Sequence, residues 1–563
     1  MQRSKGERRG DFSVEALSDF PDDAMTAEGP ISAEQVGSMM ATLAGCGVRR
    51  VSWCYYGDGR GGHMVRDTSV KSEKLCRTYN LLGNPLGVAA EAAHEEGLQL
   101  HACFKPYETG AAHLCPEGSV EAAMVGRLSH RGGRLSWLDR FVVDNPHLRI
   151  KRRSDDLRPD IRTVPIRGLK LVKKDDSPTR VGKRHLQIWT STLNSRYRRL
   201  DIDFDVTENV EPAKRDVYDI SDELLTKKGD PVRTLTLSGF ELDDPFILVT
   251  TDFRDGPPDF ENTSIEMLVA LDVDGREVPG VFANGRGIWA PEMVDFRDWG
   301  LVFDHGWGSE KKYLDVDNQD GQSGLVAYTR GRNEYLPGAL CETEPQVRDF
   351  WLSCVKEMLD AGVDGIDFRE ENHSTHTDYP EDYGFNPAVI EACEQRGGVD
   401  LATIAEVRGA AYTEFLRQAK QMIAARGKRM RINFQVDWYR PDPAATRRLA
   451  YPANLNFEWP RWIEEGLCDE GIIRFYHLPF DCIFNDEVTQ EVIAACERHS
   501  IPLAVNRYVR RLEPETLMDE YRSVRDDGRF SGFIMYETRH FVRMHPDGSC
   551  TITRGGVDRL KDL

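Results

Sequence analysis

The chain alternates amphipathic helical patterns with short apolar runs. This alternation occurs before and after a long block that has no helical pattern, and it limits the folds that the chain can adopt. Helical patterns at 32–46 and 84–97 each end near a glycine and lead into apolar runs at 48–56 and 98–104. Such alternation is typical of helices packed on a parallel sheet. The first part of the chain therefore predicts two strands of such a sheet.

The same alternation resumes after residue 343. Further strands are predicted at about 363–368, 429–436, 471–476, 502–509 and 530–537, with helices at about 343–359, 402–426, 459–466, 485–498 and 513–527. This makes seven strands, and the eighth is either Phe141–Val143 or Leu325–Tyr328. A ring of eight parallel strands is the known way to close such a sheet, so we predict α/β class and a (β/α)8 TIM barrel.

The block from about 164 to 308 has short alternating runs and turn signals but no long helical pattern. It predicts an inserted antiparallel β-sandwich-like domain. The predicted organisation is a first barrel part at 30–160, an inserted β-rich domain at 165–310, a second barrel part at 320–541 and a C-terminal tail at 542–563. The insertion would either bind sugar or wall a cleft.

The composition limits the classes of molecule that the protein is expected to bind. The 563 residues are 40% hydrophobic and 29% charged, with a net charge of −20. This balance is typical of a globular protein and argues against nucleic acid or an anionic membrane as a partner. No apolar run approaches the roughly 20 residues of a spanning helix. Homo-oligomerisation is left open.

The first ten residues are basic and polar, without an apolar segment after them. We expect no signal peptide, and the alternatives are a cytoplasmic protein or a secreted or periplasmic one whose signal was removed. The 12 cysteines include no CxxC pair, and most are expected to be buried free thiols.

The segment Gly362–His373 combines a short apolar strand with a cluster of ionisable groups. Barrel chemistry is built where strands end, because the following loops converge on one mouth. Because side chains alternate along a strand, Asp367, Arg369 and Glu371 should share the face towards the barrel axis and mouth. The alternative is that Asp367 and Arg369 form an internal ion pair.

The passage from Pro345 to Phe368, with the pattern P-x-V-R and then V-D-G-I, resembles bacterial glycosyl-hydrolase-like barrel proteins. The pattern W-x-x-W-x-x-x-G-x-x-D at 459–469 and the segment Asp144–His147 are similar to further motifs of that family, of the glycoside hydrolase-like family 10 type. The resemblance covers about 30–150 and 325–540 and extends distantly to the α-amylase clan. It implies a barrel that acts on sugar polymers.

One departure concerns the nucleophile. Those relatives have a carboxylate at the position of Arg369, so the resemblance assigns no nucleophile there. Glycosidic cleavage needs two carboxyl groups, one protonated and one ionised. The first is expected among Asp367, Glu370 and Glu371, and the second is predicted from the following set: Glu537, Asp437 and Glu458, with Glu108 as a weaker candidate. In a retaining mechanism Asp367 or Glu371 would be the nucleophile and one of Glu537, Asp437 and Glu458 the acid/base.

Aromatic and polar residues near strand ends predict a sugar-binding surface, because an aromatic face packs on the C–H face of a pyranose. The candidates are Trp53, Asp58, Lys105, Tyr107, Glu108, Arg369, His373, Trp438, Tyr439, Arg440, Tyr476, Arg507 and Tyr508. Arginines recur at strand ends, which suggests either an anionic glycan with uronate or sulfate groups or neutralisation of nearby carboxylates.

The prediction is a glycoside hydrolase acting on an oligo- or polysaccharide, with no cofactor and no metal site. Two alternatives stay open: an inactive carbohydrate-binding barrel and a metal-assisted lyase or isomerase on a sugar.

Overall fold

A computed structural model represents the protein. It describes residues 12–56, 77–112, 135–153, 164–191, 198–218, 224–244, 246–251, 268–278, 281–282, 325–329, 335–370, 380–439, 454–475, 478–510 and 512–560.

Eight parallel strands form a closed barrel in chain order. They are β1 Ser13–Ser18, β2 Val48–Cys54, β3 Gln99–Phe104, β4 Gly365–Phe368, β5 Arg429–Gln435, β6 Glu470–Arg474, β7 Leu503–Tyr508 and β8 Gly532–Tyr536. The ring closes through β1 and β8, where Val14 pairs with Phe533 and Leu17 with Tyr536. The predicted barrel is confirmed, and seven of its strands lie within two residues of their predicted bounds.

Both predictions for the eighth strand are wrong. Phe141–Val143 lies in a short helix, Arg140–Asp144, and Leu325–Thr329 pairs antiparallel with Phe246–Thr251. The missing strand is β1, which lies before the predicted start of the barrel at residue 30. Its inward charge, Glu15, interrupts the apolar pattern, and only arginines from other strands compensate that charge.

Helices surround the barrel. They are α1 Phe20–Thr26, α2 Ala33–Gly45, α3 Pro85–Glu95, α4 Pro345–Asp360, α5 Pro387–Gln395, α6 Leu401–Ala425, α7 Trp459–Glu464, α8 Glu487–Arg498 and α9 Pro514–Asp527, with a further short helix at Cys482–Asn485. Ser32 and Gln35 close a reciprocal capping box at the start of α2. None of the helices in the described part of the chain is long and apolar enough to cross a membrane.

Antiparallel sheets make up the described part of the inserted block. One sheet has the order Asp205–Pro212, Pro231–Leu242, Ile166–Val172 and Leu268–Leu271, and the other has Val281–Phe282, Leu325–Thr329, Phe246–Thr251, Leu186–Ser191 and Arg198–Arg199. Apolar side chains of both sheets, such as Leu169 and Ile247, share one buried cluster that is separate from the main barrel core. A β-rich insertion is therefore present, whereas its sandwich arrangement stays a prediction.

Short antiparallel pairs complete the described structure. They are Gly110–Ala112 with Leu135–Leu138, Arg149–Lys151 with Tyr335–Leu340, Val217–Tyr218 with Leu224–Thr226, and Val542–Met544 with Cys550–Ile552. The last pair is a C-terminal hairpin that is tied to α2, because the Gln35 side-chain amide donates a hydrogen bond to the His545 carbonyl at 2.9 Å.

Candidate active site

Three levels of side chains fill the barrel interior along β1, β2 and β3, because alternate residues of a strand point inward. Glu15, Arg50, Ser52 and His101 lie towards the N-terminal ends of these strands, Leu17, Cys54 and Cys103 share one apolar cluster further along, and Asp19, Tyr56 and Lys105 follow at the C-terminal ends. The interior is therefore charged at the base, apolar in the middle and polar at the C-terminal mouth.

Buried ion pairs occupy the base. Arg431 contacts Glu15 at 2.8 Å, Glu470 at 3.3 Å and Asp367 at 3.5 Å, while Arg50 contacts Glu15 at 3.1 Å and Glu470 at 2.9 Å. We call this set, completed by Ser52 and His101, the basal network. Each of its charges has an opposite charge within hydrogen-bond or ion-pair distance.

Asp367 belongs to the basal network. It points into the barrel as predicted, but it is only 1% exposed and accepts hydrogen bonds from Ser52 Oγ at 2.6 Å and from the His101 ring at 2.8 Å. Burial alone would raise the pKa of Asp367, but Arg431 and His101 hold it well below its ordinary value. Asp367 therefore lies in an internal ion pair, but its partner is Arg431, whereas the alternative predicted Arg369.

Polar groups from the ends of β1, β2 and β3 meet at the mouth. Lys105 Nζ lies 2.5 Å from the Tyr56 hydroxyl, 3.1 Å from Glu108 Oε2 and 3.4 Å from Asp19 Oδ2. The Tyr56 hydroxyl donates to Asp19 or Glu108, each at 3.2 Å. Burial would lower the pKa of Lys105, but Asp19 and Glu108 raise it, so the ammonium group stays charged.

Glu370 follows β4 and occupies an apolar, aromatic environment. Its side chain is 1% exposed, and the Tyr412 hydroxyl of α6 donates a hydrogen bond to its Oε1 at 3.3 Å. Tyr412 in turn packs among aromatic rings, with Tyr107 and Trp462 at 5.4 and 5.7 Å between ring centroids. Burial raises the pKa of Glu370 to about 8. This carboxyl is therefore protonated at neutral pH.

Two arginines converge on one ring at the mouth. The Arg369 and Arg474 guanidinium carbons lie 5.1 and 4.7 Å from the centroid of the Tyr536 ring at the end of β8. Arg369 follows β4, on the opposite side of the barrel, and Arg474 ends β6, which is separated from β8 by β7. Arg474 also donates to Asn506 Oδ1 at 2.9 Å. Both guanidinium groups are buried, and each lies against the Tyr536 ring in a cation–π contact.

Amide groups of β5 and β7 line the same region. Gln435 Nε2 donates to Asp437 Oδ2 at 2.7 Å, and Asn433 Nδ2 donates to the Phe368 carbonyl at 2.9 Å. Among the described residues, Asn433 Oδ1, Gln435 Oε1 and Asn506 Nδ2 have no hydrogen-bond partner although they are buried. Buried amide atoms in this state are suited to binding hydroxyl groups of a ligand.

Acidic groups also lie where β8 ends. Glu537 is held by Arg539 Nε at 2.6 Å and by His540 at 3.4 Å. Burial alone would raise the pKa of Glu537, but Arg539 and His540 hold it well below its ordinary value, so this carboxylate is ionised. Nearby, Asp23 accepts hydrogen bonds from Ser18 and Thr538, each at 3.0 Å, and burial raises its pKa to about 7.

Several predicted sugar-binding aromatics instead pack in the protein. Trp53 is fully buried and stacks on Phe20 with 4.3 Å between ring centroids. Tyr107 lies in the aromatic cluster around Tyr412, and Trp438 stacks on Phe457 at 5.9 Å. For these residues the position near a strand end reflects helix–sheet packing.

Two other aromatic candidates have local partners. Tyr439 stacks on Trp459 with 5.7 Å between centroids. Tyr508 lies at the mouth, where its hydroxyl is 3.3 Å from His540 Nε2 and its ring is 5.2 Å from that of Tyr536. The structure thus brings Tyr508, but not Tyr439, to the Tyr536 ring.

Two charged candidates lie in ion pairs with neighbouring helices or turns. Arg507 pairs with Glu520 of α9 at 2.6 Å. Glu458 precedes α7, where it lies 3.3 Å from Arg461, and its side chain is 22% exposed. The alternative in which strand-end arginines neutralise carboxylates such as Glu537 matches the contact of Arg539 with Glu537, whereas Arg507 pairs with a helix carboxylate that was not foreseen.

The remaining candidates lie outside the described residues. They are Asp58, Glu371, His373, Arg440 and Tyr476. In the described part of the chain, no three or more His, Cys, Asp or Glu side chains are grouped so that they could hold a metal ion.

Sequence reasoning did not select several residues of the candidate site, among them Asp19, Asp23, Tyr412 and the amide residues of β5 and β7. Asp19 and Asp23 follow β1, and both were missed because that strand was missed. Tyr412 is one apolar-face residue among many on the 25-residue helix α6. For Tyr412 no sequence signal distinguishes the hydroxyl that reaches Glu370 from an ordinary core tyrosine.

No protein-family model and no curated protein matches this chain. The β-amylase catalytic domain from Paenibacillus polymyxa is similar at 9% identity and a TM-score of 0.32, over 98% of this chain and 97% of that chain. The glycoside hydrolase domain of PelA from Pseudomonas aeruginosa is similar at 14% identity and a TM-score of 0.21, over 35% of this chain and 62% of that chain.

Morphinone reductase, an enzyme of another kind, is similar at 12% identity and a TM-score of 0.23, over 38% of this chain and 50% of that chain. The chain thus spans less than two thirds of the PelA domain and half of the reductase. Solved structures this distant carry no argument about activity, and the family resemblance noted in the sequence stays a prediction.

Proposed function

We propose that this protein is a barrel enzyme that hydrolyses a glycosidic bond in an oligo- or polysaccharide, with Glu370 as the proton donor. The observation that supports this most is the protonated state of Glu370, a buried carboxyl at the C-terminal end of β4 whose pKa is raised to about 8. A glycosidase needs one carboxylic acid that keeps its proton at working pH.

The second requirement is an ionised carboxylate across from the acid. Strands β4 and β8 stand opposite each other in the ring of eight, and Arg369 after β4 reaches the Tyr536 ring at the end of β8. Glu537 follows Tyr536 directly and is ionised. Environments that push the pKa values of two carboxyl groups apart are typical of an acid and its anionic partner.

Asp437 is the alternative anionic partner. It follows β5, the neighbour of β4, is 1% exposed and accepts a hydrogen bond from Gln435 at 2.7 Å. Asp367, the nucleophile expected from sequence, is not proposed for this role because the basal network holds it below the apolar level of Leu17, Cys54 and Cys103. Glu458 is not proposed because it lies in a partly exposed ion pair with Arg461.

The substrate is proposed to carry carboxylate or sulfate groups. Arg369 and Arg474 bring two buried guanidinium groups to the mouth of a chain whose net charge is −20. Guanidinium groups bind carboxylate and sulfate oxygens through paired hydrogen bonds. The amide atoms of Asn433, Gln435 and Asn506 are suited to sugar hydroxyl groups, and we propose that the inserted sheets form a sandwich that walls the cleft.

The test compares wild type with Glu370→Gln on neutral, uronate-containing and sulfated glycans by the release of reducing ends. Loss of the proton donor is expected to reduce kcat/KM by about 10²–10⁴-fold. Since the acid must be protonated, kcat/KM of the wild type should fall as pH rises through about 8. Glu458→Gln makes the same substitution in an ion pair outside the mouth and should change kcat/KM by less than about twofold.

Full activity in Glu370→Gln would exclude Glu370 as the acid. A second candidate function is a carbohydrate-binding barrel without hydrolysis, which is favoured by Arg369 at the nucleophile position of the resembling family and by the burial of Asp367. Glycan binding measured by calorimetry, with no reducing ends released from any glycan, would support that second function.

A further inference from the structure

Two cysteines lie side by side directly beneath the mouth. Cys54 is the last residue of β2, Cys103 is the residue before the end of β3, and the two are register partners on these adjacent parallel strands. Both are free and fully buried. The proposed hydrolysis uses neither thiol, so their juxtaposition requires a separate explanation.

The backbone geometry allows a bond between them. Adjacent strands are about 4.7–4.9 Å apart, which lies within the roughly 4.4–6.8 Å between Cα atoms that a disulfide spans. Both side chains point into the same interior cluster, which also contains Leu17 and Ile534. Register partners have nearly parallel Cβ directions, so a disulfide here would be strained and easily reduced.

The two thiols differ in reactivity. A hydrogen bond with Cys54, supported by the charges of Arg369 and Lys105, lowers the pKa of the Cys103 thiol although burial and Asp367 oppose this shift, whereas burial raises the pKa of Cys54. The thiolate is the form that peroxides oxidise. Lys105 follows the end of β3, two residues beyond Cys103, so its cation lies on the side from which a small oxidant would enter.

We propose that Cys54 and Cys103 form an oxidisable dithiol at the floor of the mouth, which a small hydroperoxide converts to a disulfide. The Cys103 thiolate attacks one peroxide oxygen, the O–O bond breaks, and Cys103 becomes a sulfenic acid as hydroxide leaves. The Cys54 thiol then attacks that sulfur, the S–O bond breaks, and water leaves. In sum two thiols are oxidised by two electrons and one hydrogen peroxide is reduced to two waters.

The experiment treats the folded full-length protein with hydrogen peroxide, blocks the remaining thiols and maps the peptides by mass spectrometry. The expected product links the peptide of Cys54 to that of Cys103, with the loss of two hydrogens and full reversal by dithiothreitol. This product should form about tenfold faster than oxidation of the other buried cysteines. The measurement does not depend on any hydrolytic activity.

Two single variants test which cysteine is oxidised first and which one then forms the disulfide. Cys54→Ser should leave a sulfenic acid on Cys103 that dimedone traps, and Cys103→Ser should abolish both the adduct and the crosslink. Cys393→Ser, which removes a buried thiol from α5, serves as the matched control and should leave the crosslink unchanged. A crosslink that forms only after denaturation, or no crosslink and no adduct in the folded protein, would overturn the proposal.

Discussion

The basal network and the mouth both contain buried ionisable groups, but the two regions differ in how fully these groups are paired. In the basal network Arg50 and Arg431 are each within 3.5 Å of two or three carboxylates, and Asp367 is kept ionised. At the mouth Glu370 keeps its proton, and amide atoms of Asn433 and Gln435 lack partners among the described residues. Mutual compensation indicates a structural role, whereas the mouth, with its protonated carboxyl and unpaired amide atoms, is the region where we propose that a ligand binds.

The largest loss of stability is expected when one cation of the basal network is removed. Arg431→Met leaves Glu15, Asp367 and Glu470 without their shared partner, and breaking such a buried pair costs about 3–5 kcal/mol. Urea denaturation should report this loss in the free energy of unfolding. Arg461→Met, in an ion pair whose arginine side chain is 46% exposed, is the control and should cost under about 1 kcal/mol. Equal effects would refute the special role of the basal network.

The next effect concerns the pH dependence of stability at the mouth. Since the folded pKa of Glu370 is raised to about 8, the wild type retains a proton that the unfolded chain loses, so its stability falls as pH rises towards 8. The substitution Glu370→Gln removes this pH dependence of stability. The difference in unfolding free energy, variant minus wild type, should grow by about 1.4 kcal/mol per pH unit between the unfolded pKa and 8. A difference that does not change with pH would contradict a protonated Glu370.

A smaller effect is expected for Asp367→Asn. The amide keeps the shape but weakens the contacts with Arg431, Ser52 and His101, which should cost about 1–3 kcal/mol at neutral pH. Because the pKa of Asp367 is lowered in the folded protein, this cost should disappear as pH falls below the ordinary carboxyl range.

Activity of the folded Asp367→Asn protein should stay within about threefold of wild type, since the residue does not reach the mouth. A loss of about 10³-fold or more with the fold intact, measured by reducing-end release, would return Asp367 to the role of nucleophile.

Periodicity alone was sufficient for most of the barrel. Seven strands and the long helices α4, α6 and α9 have apolar residues at the spacing that their final environment requires. The strand β1 could not be found in this way because Glu15 occupies an inward position, and only arginines brought from β2 and β5 make that position favourable. Local pattern rules fail where a buried charge is compensated by distant residues.

The candidate site was predictable only in part. The motif around Asp367 and Glu370 predicted a strand that opens into ionisable residues at a barrel mouth, and the structure has β4 at this place. The protonation state of each carboxyl group depends on side chains far along the chain. Tyr412 contacts Glu370, and Arg431 contacts Asp367. Likewise Trp53 and Trp438 follow the pattern of sugar-stacking residues, yet Phe20 and Phe457 cover them.

The order of residues by itself determined the barrel, the β-rich insertion and the strand end where charge accumulates, because these depend on spacings of a few residues. The tertiary structure decided which charges meet, which carboxyl group is deprived of water and which thiols become neighbours. These properties depend on distances between segments hundreds of residues apart, and burial and Coulomb interactions at those contacts set the pKa values on which the chemistry rests.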